Sequence, residues 1–342
     1  MKLKRTALIA FSTLLPAVAS FAQNFQDSRH PAGPQAAHIH ELWLLMLTIC
    51  TVAYVATMIA LVLALMRARR GDARTPPDLA SLEVTERGPL RTVSTGVGVT
   101  VVLLIVLLVA SVLTDRALAR LPLADPVTIK LIGHQWWWEA RYEDPQPSRV
   151  FNTANEIHVP VGRPVVMTLT ADDVIHSFWV PNLHGKRDLI PGHTAITQFR
   201  ADTPGVYRGQ CAEFCGLQHA KMALLVIAEP ADQYEQWAQQ QRQSAPRPSE
   251  PLAQRGEQVF MSTTCVMCHA IQGTDANGQK APDLTHLAAR RTLAAGMFEN
   301  KPAQLAAWIL DPQTLKPGVN MPRNPLGADD LNALVAYLGT LH

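Results

Sequence analysis

The sequence predicts a membrane-anchored chain of several domains: a hairpin of two transmembrane helices, then a β-barrel or sandwich, then a small all-α unit. Three observations predict this. Two long apolar runs, Leu42–Met66 and Val93–Leu113, lie in the first third of the chain. Short β-rich runs, several of them alternating and punctuated by Gly or Pro, fill residues 124–229. The last part carries a C-x-x-C-H motif at Cys265–His269 and closes on the amphipathic stretch ADDLNALVAYLGTL. At 342 residues the chain is long enough for two or three units, by the usual prior of about 150 residues per domain.

Residues 1–22 read as a secretory signal. Lys2, Lys4 and Arg5 form a charged start, TALIAFSTLLPAVA an apolar middle, and Ser20 and Ala22 suit cleavage before Gln23. A first membrane anchor is the rival reading, weakened by Pro16 within a short run. Residues 23–41 are polar, contain Pro31, Gly33 and Pro34, and read as an exposed segment. Residues 42–66 and 93–113 are each long enough to cross a ~30 Å hydrocarbon core as a helix. The loop 67–92 carries Arg67, Arg69, Arg70, Arg74, Arg87 and Arg91, and arginine-rich short loops stay cytoplasmic. Everything after Leu113 then lies outside, as an exported N-terminus also requires. This topology suits a bacterial inner membrane, with the two later units on its periplasmic side.

Net charge is +2, and no basic cluster is interleaved with aromatics, so a nucleic-acid partner is set aside. Four of the five cysteines form two tight pairs, Cys211/Cys215 and Cys265/Cys268; Cys50 lies in an apolar run and reads as a buried small hydrophobe. The stretch 211–222, CAEFCGLQHAKM, gathers the thiols Cys211 and Cys215, the imidazole His219, the thioether Met222 and the carboxylate Glu213. His176, in DDVIHSFWVP, is the further strong ligand. Thiolate, imidazole and thioether together select copper over calcium or magnesium. A structural zinc site takes the same thiolates and imidazoles, and Met222 argues for copper over it.

In CVMCH both thiols suit thioether bonds to a c-type haem, and His269 suits the iron. A redox or zinc C-x-x-C is the rival, but it lacks a βαβ context and does not explain the adjoining histidine. Met321, in KPGVNMPRNPL, is the expected sixth ligand, with Met297 as its competitor. Leu331, Leu334, Val335 and Leu338 fall on one face of the closing helix. Residues 230–254 read as a linker: a short helix from DQYEQWAQQQRQS, then the proline-rich spacer APRPSEP, which holds modules apart. The run GHQWWWEARY reads as a strand with Trp136 and Trp138 on one face and Trp137 on the other, and packing explains it as well as function does.

DVIHSFWVP, KRDLIPGH and GQCAEFCGLQHAKM resemble the dicopper domain of cytochrome c oxidase subunit II. The resemblance implies a cupredoxin-like Greek-key domain over residues 124–229 that holds a binuclear copper centre, CuA. It makes Cys211 and Cys215 bridging thiolates, His176 and His219 terminal ligands, and Met222 and the Glu213 carbonyl the weak ligands. It implies a magnesium ion for the Glu213 carboxylate at the boundary with subunit I, and it places Asp188 near that boundary. It makes Trp136 the electron-entry residue. Residues 255–342 resemble a class I cytochrome c, with a Pro282–Leu284 turn beside the haem motif. A haem c fused behind subunit II is similar to the caa-type haem-copper oxidases. The family's Glu-x-x-Trp-Thr stretch is missing: Glu83 and Glu86 are not followed by that tryptophan.

Neither site offers an open metal position, a nucleophile–base pair or paired carboxylates, so both read as electron carriers. The resemblance implies a route from a soluble cytochrome c or other periplasmic donor through haem c and the copper pair to subunit I, where oxygen is reduced and protons are pumped. Subunit III is a further expected partner. A dicopper subunit of a membrane nitric oxide reductase and a stand-alone membrane-anchored carrier stay open as alternatives.

Overall fold

A computed structural model describes residues 26–68, 76 and 87–342. The expected signal segment, Arg69, Arg70, Arg74, Glu83 and Glu86 lie outside the described residues.

Two helices, α1 (Pro34–Arg67) and α2 (Arg87–Leu118), pack on each other and expose their apolar side chains, Cys50 among them, which is therefore exposed on the span's outer face rather than buried as the sequence suggests. At 1.5 Å per residue each is longer than a ~30 Å core requires. The surplus explains a difference from the sequence reading. Helix α1 begins at Pro34 rather than Leu42, and the segment expected to be exposed is partly buried. Ala32, Gln35 and Ala36 pack against the β-domain, where Ala32 N–H donates to Asn182 O (2.7 Å) and Ala36 N–H to Leu183 O (3.2 Å). Backbone hydrogen bonding overrides the polar, proline-containing composition here.

The β-domain is two facing sheets with a two-stranded ribbon. The larger runs in the order β3 (Phe151–Ala154), β2 (Trp137–Glu143), β1 (Val127–His134), β5 (Pro164–Ala171), β8 (Ala195–Arg200). The smaller runs β4 (Glu156–Pro160), β10 (Ala223–Glu229), β9 (Gly205–Gln210). Strands β6 (His176–Phe178) and β7 (Arg187–Leu189) form the ribbon. Strand β1 pairs parallel to β5, and β10 parallel to β4, so crossovers join the sheets. Alternation in β1 and β5 sends Ile129, Leu131, Val165, Met167 and Leu169 inward, which is the period-two pattern of a half-covered sheet. Strand β10 is buried on both faces except at its last residue, because the helical domain packs on its outer side.

Trp136 differs from the sequence reading. The run HQWWWEARY is a hairpin rather than one strand, with Gln135 and Trp136 at the turn and β2 starting at Trp137. Trp136 therefore leaves the plane of the sheet. Trp137 stacks on His134 at 4.3 Å, and Trp138 is fully buried.

The expected linker helix forms as α3 (Ala231–Gln241), but it is fixed to the β-domain. Trp237 stacks on His158 at 4.1 Å, and Tyr234 and Ala238 are buried. The terminal domain is built from α4 (Pro251–Ser262), α5 (Cys265–Cys268), α6 (Pro302–Leu310), α7 (Pro312–Leu315) and α8 (Ala328–Leu338), with a ribbon of β11 (Thr292–Leu293) and β12 (Phe298–Glu299). Helices α4 and α8 cross at Gly256, where an added Cβ would lie 1.9 Å from Ala333 O. Leu334 and Leu338 face this core with Tyr337 and Phe260. The spacer does not hold the two domains apart; they dock directly, through contacts described below.

Candidate functional site

The loop 211–222 connects β9 to β10 and is closed at its base by its own backbone. Cys211 N–H donates to Met222 O (2.9 Å), and the Gln210 amide reaches His219 O (3.2 Å) and Met222 O (3.3 Å). That closure turns the side chains of Cys211, Cys215 and Met222 into the interior, each 2% exposed or less. His176, at the start of β6, completes the group and is fully buried. Its ring lies against β1 at Gly133, where a Cβ would stand 2.7 Å from His176 Cδ2.

The donor atoms converge. Cys211 Sγ lies 3.8 Å from Cys215 Sγ, 3.8 Å from His176 Nδ1 and 3.3 Å from the Glu213 carbonyl. Cys215 Sγ lies 3.6 Å from His219 Nδ1 and 3.9 Å from Met222 Sδ. A sulfur–sulfur separation of 3.8 Å is far beyond a disulfide bond of ~2.05 Å, so both thiols are free ligands. Every residue expected at the copper site is brought to it. The two thiols shift in opposite directions. Donation from Cys215, foremost, and from His176 and backbone amides holds Cys211 down to about 3. The same bond to Cys211, with burial, pushes Cys215 up. Burial pulls His176 down, but hydrogen bonds to Cys211 and Asp173 outweigh it and its net shift is upward. His176 Nε2 is held by Asp173 Oδ1 at 2.8 Å, which leaves Nδ1 for the site. Two thiolates, two imidazole nitrogens, a thioether and a carbonyl form a soft, buried donor set of the kind that holds copper. A lone four-coordinate zinc ion would leave the thioether and the carbonyl without a role.

The second site is a cavity of about 320 Å³ in the terminal domain, within the range of cofactor pockets. Cys265, Cys268, His269 and Met321 all line it. His269 Nδ1 is bonded to Pro282 O at 2.7 Å, which orients the ring and leaves Nε2 for a metal. Burial lowers its affinity for a proton, keeping it in the neutral, ligating form. Gln313 staples the Met321 loop, donating to Val319 O (2.6 Å) and Met321 O (2.8 Å) and accepting from Gly318 N–H (3.0 Å). Met297, the competitor, is absent from the cavity wall. The wall also holds Arg290, half-buried, whose Nη2 donates to Asp283 O and whose buried Nε has no partner, which suits an acid group on a bound macrocycle. Paired thiols, an oriented imidazole, a thioether and an unpartnered guanidinium N–H fit a haem c.

The two sites share a wall. Gln135, Trp136, Trp137 and Asn155 of the β-domain line the helical domain's cavity. Trp136 is only 7% exposed, and its indole N–H donates to the Cys215 carbonyl at 2.9 Å. One side chain thus touches both sites.

A family model for the periplasmic domain of cytochrome c oxidase subunit II matches residues 144–229, and one for cytochrome c matches residues 253–342. A cytochrome c oxidase subunit 2 from Alkalihalophilus pseudofirmus is 36% identical over 325 residues, spanning 91% of this chain and 89% of that protein. The chain belongs to the cytochrome c oxidase subunit II family. The subunit 2 of Bacillus subtilis is 28% identical over 357 residues, spanning 98% of this chain and 97% of its own. The crystallised periplasmic domain of subunit II from Bradyrhizobium japonicum is 32% identical, covers 36% of this chain and 97% of that one, and has a TM-score of 0.34. This subunit II is therefore part of a haem-copper oxidase, an oxidoreductase that assembles with other subunits and takes electrons from a donor. Its cytochrome c domain implies haem, its subunit II domain implies copper, and its two apolar helices fit a membrane anchor.

Sequence reasoning missed three residues of the joint site. Arg290 and Lys316 look like ordinary surface cations in the sequence. Gln135 carried no signal, yet its amide also donates to the Cys215 carbonyl (2.8 Å). Lys316 is 1% exposed, and burial, then Lys221, pushes it down to about 7.

Proposed function

We propose that His176, Cys211, Cys215, His219, Met222 and the carbonyl of Glu213 hold a binuclear copper centre, and that Cys265, Cys268, His269 and Met321 hold one covalent haem c. Both groups, when bound, supply reversible one-electron chemistry without an open coordination position. The residues around them exclude water and fix their ligands, so that little reorganises when charge moves. Electrons enter at the cytochrome c domain from a soluble cytochrome or another periplasmic donor. They leave through the β-domain toward subunit I, where oxygen is reduced and protons are pumped. The observation that carries this reading is Trp136, which lines the haem cavity and is bonded to the backbone of Cys215. It gives the two domains a direct path inside one chain.

The Glu213 carboxylate, its carbonyl turned to Cys211, is the residue to hold magnesium at the subunit I boundary. Asp188 accepts from Ser177 Oγ (2.7 Å) beside His176 and braces the same edge. Subunit III completes the complex, and the two apolar helices anchor it in the bacterial inner membrane with both redox domains on the periplasmic side.

The test is gas consumption by the complex purified in mild detergent through a tag on this chain. Oxygen uptake with a reduced donor, abolished by Cys215→Ser, is the expected result. Nitric oxide consumption without oxygen uptake would move the complex to the reductase alternative. Failure of any other subunit to co-purify would make the chain a stand-alone carrier.

A further inference from the structure

Two buried ionisable side chains, a carboxyl and an amine, cross the domain boundary in opposite directions. Glu156 opens β4 in the β-domain and is 2% exposed. Its carboxylate accepts from Arg291 N–H (3.0 Å), Thr292 N–H (2.8 Å) and Thr292 Oγ1 (2.7 Å), all in the cytochrome c domain. Lys316 belongs to the cytochrome c domain and is equally buried. Its Nζ donates to Trp136 O (3.1 Å) of the β-domain and to Ala294 O (3.0 Å) of its own. A buried carboxylate or amine without such partners carries a large desolvation cost. Docking takes both groups out of water and replaces it with fixed partners: all three donors to Glu156 come across the boundary, and so does one of the two acceptors of Lys316.

The surrounding contacts fix one register. Gln218 Nε2 donates to Pro317 O (2.6 Å), Asn320 Nδ2 to Gln135 O (3.2 Å), and Ala223 N–H to Ala295 O (3.0 Å). The loop that carries Met321 is thereby tied to the loop that carries Cys215 and His219.

We propose that Glu156 and Lys316 are reciprocal latches that hold the haem domain permanently docked, making it a fixed relay into the copper domain rather than a swinging carrier. They are positioning residues, acting through Trp136 and the Met321 loop. The docked domain covers Trp136, so an outside donor delivers to the cytochrome c domain and not to that tryptophan. The proposal rests on the electron route given above.

The test uses the whole oxidase complex with a protease cleavage sequence placed within residues 246–250. After cleavage and gel filtration, the wild-type haem domain should stay with the complex. Glu156→Ala and Lys316→Met should each lower retention by at least about tenfold. Glu156→Gln, which keeps an acceptor oxygen, should retain more than Glu156→Ala. In the uncleaved complex, electron transfer from the haem domain to the copper domain after a light pulse should be independent of glycerol viscosity. In the two latch variants it should slow as viscosity rises. Shedding of the wild-type haem domain on cleavage, or full retention by both variants with unchanged transfer, would overturn the proposal. Where a variant lacks the haem c spectrum and has not folded, Glu156→Gln alone decides by the same measurements. Retention is read from haem absorbance, so a docked domain in a complex that consumes no oxygen would refute the electron route and leave the latches standing.

Discussion

The copper cradle and the haem cradle are built in opposite ways. The copper cradle is local: five of its six residues lie within 211–222, and only His176 comes from elsewhere. The haem cradle is a composite, with its proposed ligands spread from Cys265 to Met321 and part of its wall borrowed from the β-domain. The local site is complete within one domain. The composite site is complete only when two domains meet. An electron site is thus specified by a short loop, whereas its coupling to the next site is specified by an interface.

The largest expected effect separates the two cradles. Cys215→Ser removes a sulfur shared by the His219 and Met222 contacts, so metal analysis should find the copper lost while covalent haem c remains. Loss of haem c as well would mean that the cradles fold as one unit. Next comes Met321→His, which should leave the haem attached and lower its midpoint potential, since a histidine–methionine pair raises it; spectroelectrochemistry reads the shift. An unchanged potential would point to Met297 as the ligand.

Trp136 tests the shared wall. Trp136→Phe keeps an aromatic ring but removes the indole donor to Cys215 O, a hydrogen bond of about 1 kcal/mol. Transfer between the domains should slow several-fold, while the optical spectra of both sites stay native. Gly256→Ala acts on the haem side alone. Its Cβ would press on Ala333 O and destabilise the cytochrome c domain by about 1–3 kcal/mol, seen as earlier thermal loss of the haem spectrum.

The composite half of the comparison is also the half that the sequence conceals. The side chains that gather at the two candidate sites were legible because thiols, imidazoles and thioethers are rare and their spacing is chemical. The apolar spans were legible because nothing else needs so long an uncharged run. Trp136 was misplaced because three tryptophans between polar residues look like one strand, and only pairing reveals the hairpin. The 23–41 segment looked exposed because its backbone bonds to Asn182 and Leu183 are invisible in composition. Lys316 and Glu156 were illegible for a related reason. A buried charge differs from a surface charge only through partners far away in sequence, here 180 and 136 residues distant for Trp136 and Thr292.

The last expected effect is a pH dependence at that interface. Lys316 is pushed down to about 7 from an ordinary 10.5. Between those values the unfolded chain keeps the proton and the native chain lacks it. Native stability should therefore rise with pH across that window, by at most about 1.4 kcal/mol per pH unit. Denaturant titrations followed at the haem band should show a slope that Lys316→Met flattens.

The central claim is that haem domain and copper domain form one electron path inside this chain. It is tested most directly by injecting single electrons from an external photoreductant into the purified complex and following both sites in time. The account predicts that haem c is reduced first and that its reoxidation coincides with reduction of the copper centre. Reduction of the copper centre while haem c stays oxidised would contradict it.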